Sequence, residues 1–211
     1  MKIAIDLDGT IVTCRERQMS LLMALAKAHS VEIDADRVWY LKRNGLNNQK
    51  SLLACNISSL KVNLICKKWE SLIETFPWLY FDKLIDGVVD ALLDCRSDGN
   101  TLHLLSARSN PSYGFLQLKT LGIQILFDSI HFVSPNIPHA KVLVLKKLSP
   151  KYYIGDTERD YDDALMSNTI PILVSTGMRN VDYLYSKSGM LAYSNLFSFF
   201  ASIHKVLKPI P

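Results

Sequence analysis

The pattern that most constrains this chain is a series of short apolar runs, each closing on polar or turn-forming residues. They are Lys2–Leu7, Thr101–Leu105, Ser129–Val133, Tyr152–Ile154 and Ile170–Ser175. Each has the length of a strand, and most are apolar at successive positions rather than at alternate ones. Strands buried on both faces read this way, and such burial is the rule in parallel sheets. Helical stretches separate the last four runs. Asp86–Cys95 carries an apolar stripe, Ser112–Leu121 stops before Gly122, His139–Leu148 precedes Ser149-Pro150, and Asp160–Met166 precedes Asn168. Strands alternating with helices predict an α/β fold, a Rossmann-like parallel sheet with helices on both faces and right-handed crossovers. Asn195–Val206 reads as a closing helix against that sheet.

The first run is followed by a long interval with no convincing strand. Arg17–His29 is amphipathic, and Ala35–Leu41, Gln49–Cys55 and Ser59–Thr75 continue the helical pattern. This predicts a small helical cap domain, residues 15–83, inserted after the first strand of a core made of 1–14 and 84–211. The hinges would lie near Cys14 and Phe81–Asp86. A chain of 211 residues is long enough for one core with such an insertion.

The chain is 48% hydrophobic and 21% charged, which places it among globular proteins rather than disordered ones. Its formal charge of +4 is scattered, with short pairs such as Lys42-Arg43, Lys67-Lys68 and Lys146-Lys147. No recognition motif accompanies these pairs, so nucleic acid is not expected as a partner. A mildly positive surface suits a small anionic substrate instead. Cys14, Cys55, Cys66 and Cys95 lack metal-ligand or CxxC spacing and are expected in helical stretches as reduced, partly buried thiols. No apolar stretch reaches membrane-spanning length, and the opening residues lack the build of a signal peptide. The expectation is a cytoplasmic protein without membrane contact, monomeric or homodimeric.

In an open parallel sheet, ligands bind beyond the carboxyl ends of the strands. The first run ends in Asp6-Leu7-Asp8-Gly9-Thr10. In an extended segment Asp6 and Asp8 would share one side, where two carboxylates repel unless a cation joins them. Gly9 would let the backbone turn, and Thr10 offers a hydroxyl and an amide to an anion. An Asp-rich turn without function has the same letters. The second core run leads into Ser106-Ala107-Arg108, where a hydroxyl and following amides can make an anion nest, or simply open a loop. The fourth leads into Gly155-Asp156-Thr157-Glu158-Arg159-Asp160. Asp156 and Asp160 are four apart and would meet across one helical turn. Helix capping also explains Asp160 and Asp163, but not so many carboxylates together. A hard cation would relieve their repulsion, and Mg2+ suits a few carboxylates with water and phosphate. Asp162 would point away, and Asp163 would lie too far along the helix. Lys141 opens a helix at the correct end of the sheet, whereas Lys146 and Lys147 lie deeper and read as surface residues.

Taken in order, these segments resemble the four motifs of the haloacid dehalogenase (HAD) superfamily. Asp6–Thr10 resembles the first, the strand ending at Ser106 the second, Lys141 the third, and Gly155-Asp156-Thr157 with Asp160 and Ala164 the fourth. The helical insertion is similar to the type 1 cap of phosphoglycolate-phosphatase-like members. The resemblance implies an aspartyl-phosphate on Asp6, with Asp8 protonating the leaving oxygen and then activating water. It implies Mg2+ held by Asp6, the Asp8 carbonyl and Asp156, with Asp160 supporting. Ser106, Ala107 and Lys141 would bind phosphoryl oxygens, assisted by Thr10 and Gly9. An acid at Asp8 points to phosphoryl transfer rather than dehalogenation, because a halide leaves without a proton.

The resulting expectation is a phosphohydrolase acting on a small phosphorylated metabolite. A phosphomutase of the same fold and a noncatalytic binding domain on this scaffold are the alternatives. Substrate contacts are expected from the insertion, from Arg15, Arg17, Arg43 and Asn44 and from the loop Asn44-Gly45-Leu46-Asn47.

Overall fold

The structure is a computed structural model that describes residues 1–207, with side chains through Ile203. The chain opens with β1 (Lys2–Ile5) and a tight loop, followed by a two-residue strand, β2 (Val12–Thr13). Five helices follow: α1 (Arg15–Ala28), α2 (Ala35–Arg43), α3 (Asn48–Ala54), α4 (Ser59–Leu72) and α5 (Phe76–Leu79). The chain returns through β3 (Lys83–Leu84), then α6 (Val88–Ser97), β4 (Thr101–Ala107), α7 (Pro111–Thr120) and β5 (Ser129–Val133). It closes with α8 (Ala140–Leu148), β6 (Tyr152–Gly155), α9 (Glu158–Met166), β7 (Ile170–Leu173), α10 (Val181–Ser188) and α11 (Leu196–Leu207).

The main sheet has the order β5-β4-β1-β6-β7, with every neighbouring pair parallel. β1 is central, with Ile3 opposite Leu102 on one side and Tyr152 on the other. The chain winds outward from β1 through β4 to β5, then returns to the far side of β1 for β6 and β7. That reversal puts a crevice at the carboxyl end of β1, where Asp6 follows.

Alternation along the strands sends side chains to two cores. Ile3, Ile5, Leu102, Leu104 and Ile154 join residues of α6 and α11, including Leu92 and Phe199. Ala4, Leu105 and Tyr153 face the other way, against Leu145 of α8 and Ala164 of α9. Each fully buried Leu or Ile contributes about 1.5–3 kcal/mol, so this two-sided burial dominates the stability of the sheet. Helices α1 to α4 enclose a separate apolar cluster that includes Leu21, Leu22, Val38, Leu52 and Ile65. Among the described residues no helix is long and apolar enough to cross a membrane.

Some elements differ from the sequence reading. β1 ends at Ile5 because Leu7 does not continue it: the Leu7 carbonyl accepts from the amides of Thr10, Ile11 and Val12 at 3.3, 2.9 and 3.0 Å. Asp6 to Val12 is therefore a curl around one oxygen, not an extended segment. β4 runs two residues further than expected and takes Ser106 and Ala107 into the sheet. The interval expected to lack strands holds β2 and β3, whose antiparallel pairing forms the stem of the helical insertion. Helices α5 and α10 were not anticipated either. All four cysteines are free thiols, with Cys14 and Cys95 buried; Cys14 and Cys55 lie just outside helix ends rather than within helices.

Candidate active site

Three buried carboxylates meet beyond β1 and β6. Oxygens of Asp6, Asp156 and Asp160 lie within 4.8 Å of one another. Asp156 follows directly from β6, and Asp160 sits in the first turn of α9, so the strand end and the helix start supply one carboxylate each. Asp160 closes a capping box: its amide donates to Thr157 Oγ1 and the Thr157 amide donates to its Oδ2 at 3.2 Å, with Thr157 Oγ1 donating to the same Oδ2 at 2.6 Å. Its Oδ1 accepts from Lys141 Nζ and from the Tyr153 hydroxyl, each at 2.7 Å. Capping and site formation are thus one arrangement.

Lys141, in the first turn of α8, also donates to Asp6 Oδ1 at 2.7 Å. Burial alone would lower its ammonium, but the carboxylates of Asp160 and Asp6 outweigh it and hold the group charged. One cation does not balance three carboxylates. Burial, aided by Asp160 and Asp8, lifts Asp6 to about 7 against the pull of Lys141. Asp156 is pushed well above the carboxylate range by burial and by the charges of Asp160 and Asp6. Among the described residues its one hydrogen-bond donor is the amide of Met178, at 2.5 Å.

Two glycines make room for Asp156. A Cβ on Gly177 would fall inside van der Waals distance of Asp156 Oδ2 and 2.5 Å from the Gly9 Cα. Gly177→Ala should therefore displace Asp156 and lower the unfolding free energy by about 1–3 kcal/mol. Thermal melts read this directly, and an unchanged melting temperature in Gly177→Ala would contradict the crowding argument.

Asp8 does not join the triad. Arg108 holds it bidentately, Nη1 to Oδ2 at 2.8 Å and Nη2 to Oδ1 at 2.7 Å, and Arg17 Nη2 donates to Oδ2 at 2.7 Å. Arg17 also pairs with Asp82 at 3.1 Å, Gln117 Nε2 donates to Asp82 Oδ2 at 2.7 Å, and Arg108 reaches Gln117 Oε1 at 3.3 Å. The five side chains close a ring: α1 gives Arg17, the segment before β3 gives Asp82, α7 gives Gln117, and the loops after β1 and β4 give Asp8 and Arg108. Burial would raise the Asp8 carboxyl, but the guanidiniums of Arg108 and Arg17 hold it far below the usual range.

A crevice of about 520 Å³ opens over these groups, lined by Asp6, Asp8, Ser106, Lys141, Asp156 and Asp163 among others. A sheet of this order with acids at the end of its central strand has close structural counterparts. A haloacid dehalogenase-like family protein from Streptococcus pneumoniae aligns with a TM-score of 0.76 at 20% identity, over 96% of this chain and 97% of that one. The fold is that of the haloacid dehalogenase-like hydrolases. A protein named as a predicted phosphatase from Clostridium acetobutylicum gives 0.73 at 18% identity, over 97% and 98%. One named as a predicted phosphoglycolate phosphatase from Haemophilus somnus gives 0.69 at 16%, over 98% and 97%. No family model matches the chain, and no curated protein matches it in sequence.

In this HAD-like fold Ser106, Ala107 and Lys141 line the crevice with Asp6 and Asp156. Other expected residues are placed differently. Gly9 donates its amide to Val12 and Thr10 its amide to Leu7, and the Thr10 side chain is wholly buried, so neither lines the crevice. Arg15 is exposed and pairs with Asp36. Arg43 Nη2 donates to the carbonyls of Ser175 and Arg179, and Asn44 accepts from Asn180, so both tie α2 to the loop after β7, and neither lines the crevice. Arg17 binds Asp8, not open space. Asp163, expected out of reach, is buried at the crevice edge and bonded to His139 Nδ1 at 2.6 Å. The sequence reading missed Arg108, Asp82, Gln117 and Tyr153 as site residues. The signal available for Arg108 was its place two residues after Ser106, at the carboxyl end of the same strand.

Proposed function

We propose that this chain is a Mg2+-dependent phosphohydrolase, cleaving the phosphate monoester of a small metabolite through an aspartyl-phosphate on Asp6. The observation that carries this reading is Asp6 held by Lys141 at 2.7 Å beside two further buried carboxylates. The donor set suits a hard cation: carboxylate oxygens only, with Asp156 driven up by burial and by repulsion that a cation would relieve. Asp6, Asp156 and the Asp8 carbonyl would hold Mg2+, with Asp160, both of whose oxygens already accept bonds, supporting them. Bound there, the ion offsets the repulsion between a carboxylate and a phosphate.

The remaining steps belong to this chain's own side chains. Lys141 fixes Asp6 through Oδ1, which leaves Oδ2 to attack phosphorus and form a carboxyl-phosphate anhydride as the ester oxygen departs. Ser106 and Lys141 grip phosphoryl oxygens. Asp8 stands ionised, the state needed to take a proton from the water that cleaves the anhydride. To protonate a leaving alkoxide it must first gain a proton against Arg108 and Arg17. The helical insertion acts as a cap that excludes water from the crevice.

Purified protein assayed with p-nitrophenyl phosphate and a panel of phosphorylated metabolites tests this reading. Inorganic phosphate should be released with Mg2+, cease with EDTA and return when Mg2+ is restored. An inert aryl phosphate and a blank panel would overturn the reading. Isomeric products without free phosphate would replace it with a phosphomutase.

A further inference from the structure

A second cavity, of about 400 Å³, lies between the helical insertion and the core and shares Asp8, Thr157, Arg159 and Met178 with the crevice. Its far wall comes from α2, α3 and α4, through Lys42, Asn48 and Trp69. The two spaces therefore adjoin at Asp8.

The wall carries polar groups that the protein does not satisfy. Lys42 is 3% exposed, and among the described residues the one hydrogen-bond partner of its ammonium is the neutral amide oxygen of Asn48. Among the described residues no carboxylate forms an ion pair with it. Its ammonium lies 5.4 Å from the Trp69 ring centroid. A buried ammonium without a counter-charge is unfavourable, and burial lowers its pKa to about 8, with Arg179 adding to the fall. The indole Nε1 of Trp69 and the amide Oε1 of Gln18 are both buried without a partner. Buried polar atoms left in this state around one cavity call for a ligand that bonds them. The other charges around the cavity do not supply one. Asp8 is held by Arg17 and Arg108, and Arg179 is held bidentately by Glu158. Arg159 stands exposed at the shared rim, and Glu70 is exposed on α4.

We propose that this cavity receives the leaving alcohol of the substrate, and that Lys42 with the Trp69 indole N–H binds an anionic group on that alcohol. The substrate class is then a phosphate monoester bearing a second anion, carboxylate or phosphate, several atoms from the ester. Gln18 Oε1 supplies an acceptor for a hydroxyl on the same alcohol. The inference rests on the phosphohydrolase reading for the place of the reacting phosphate.

Three six-carbon esters test it: glucose 6-phosphate, 6-phosphogluconate and glucose 1,6-bisphosphate, with p-nitrophenyl phosphate as a control for chemistry. In wild type, kcat/KM for at least one doubly anionic ester should exceed that for glucose 6-phosphate at least tenfold. Which ester leads tells carboxylate from phosphate. In Lys42→Met the ratio should fall towards one, and Lys42→Arg should retain most of it. Trp69→Phe, which keeps the ring and removes the N–H, should lower the ratio severalfold if Lys42→Met fails to fold. A wild-type ratio near one with p-nitrophenyl phosphate still hydrolysed overturns this inference alone. So does a ratio unmoved in Lys42→Met or Trp69→Phe. No hydrolysis of any ester, the aryl phosphate included, overturns the phosphohydrolase reading and this inference with it.

Discussion

Replacing Asp6 with Asn is expected to lower Mg2+-dependent turnover of p-nitrophenyl phosphate by on the order of 10⁴-fold or more, the scale lost when a nucleophile is removed. The substitution changes an oxygen to an amide nitrogen and alters little in shape. Lys141 Nζ donates to Asp6 Oδ1 at 2.7 Å, and an amide oxygen in that place accepts the same bond. Asp6 is 6% exposed, and burial lifts its carboxyl to about 7 despite Lys141, with Asp160 and Asp8 adding to the rise. Without a metal its charge is therefore a burden on the folded state. In EDTA the variant should melt at or above the wild-type temperature, while its gain from added Mg2+ shrinks. Lost turnover with an undiminished melting temperature separates chemistry from folding. Retained Mg2+-dependent turnover would remove Asp6 from the role of nucleophile.

The parallel sheet was legible because its strands are buried on both faces, and runs such as Thr101–Leu105 then show as unbroken apolar stretches. Elements that rest on few residues were not. The pairing of β2 with β3 involves Val12, Thr13, Lys83 and Leu84 alone, a pattern with no periodicity to detect. The site split the same way. Asp6 and Asp156, just past strand ends, and Lys141, at the start of α8, could be placed at one end of the sheet from sequence order. Residues fixed by long-range ion pairing could not: Arg108 reads as one more loop arginine until the chain brings it 2.7 Å from Asp8. Arg43 and Asn44 show a related limit of the sequence. A polar residue at a helix end can face a ligand or a neighbouring carbonyl, and only the packing of α2 on the loop after β7 decides which.

Arg108→Gln is expected to cost about 3 kcal/mol or more of unfolding free energy, near the low end for breaking a buried ion pair because Asp8 keeps 24% of its side chain exposed. Chemical denaturation reads this directly. The same substitution bears on the proton chemistry of Asp8. Burial favours the protonated carboxyl, and the two guanidiniums oppose it and win. Without Arg108 the balance moves towards burial, and the pKa of Asp8 rises. A higher pKa keeps the acid protonated to higher pH, so the alkaline limb of kcat should move upward in pH for an alkyl phosphate, whose leaving oxygen needs a proton. It should not move for p-nitrophenyl phosphate, whose phenolate leaves without one. Arg108→Lys keeps the charge but loses the bidentate fork, and should fall between. Equal shifts on both substrates, or none on either, would deny Asp8 the role of acid. Arg17 gives the sharper version of this test. It makes one bond to Asp8 where Arg108 makes two, and it comes from α1 rather than from the core. Arg17→Gln should then shift the alkaline limb in the same direction by less. A larger shift from Arg17 than from Arg108 would mean that the position of the helical insertion, more than the core, sets the ionisation of Asp8.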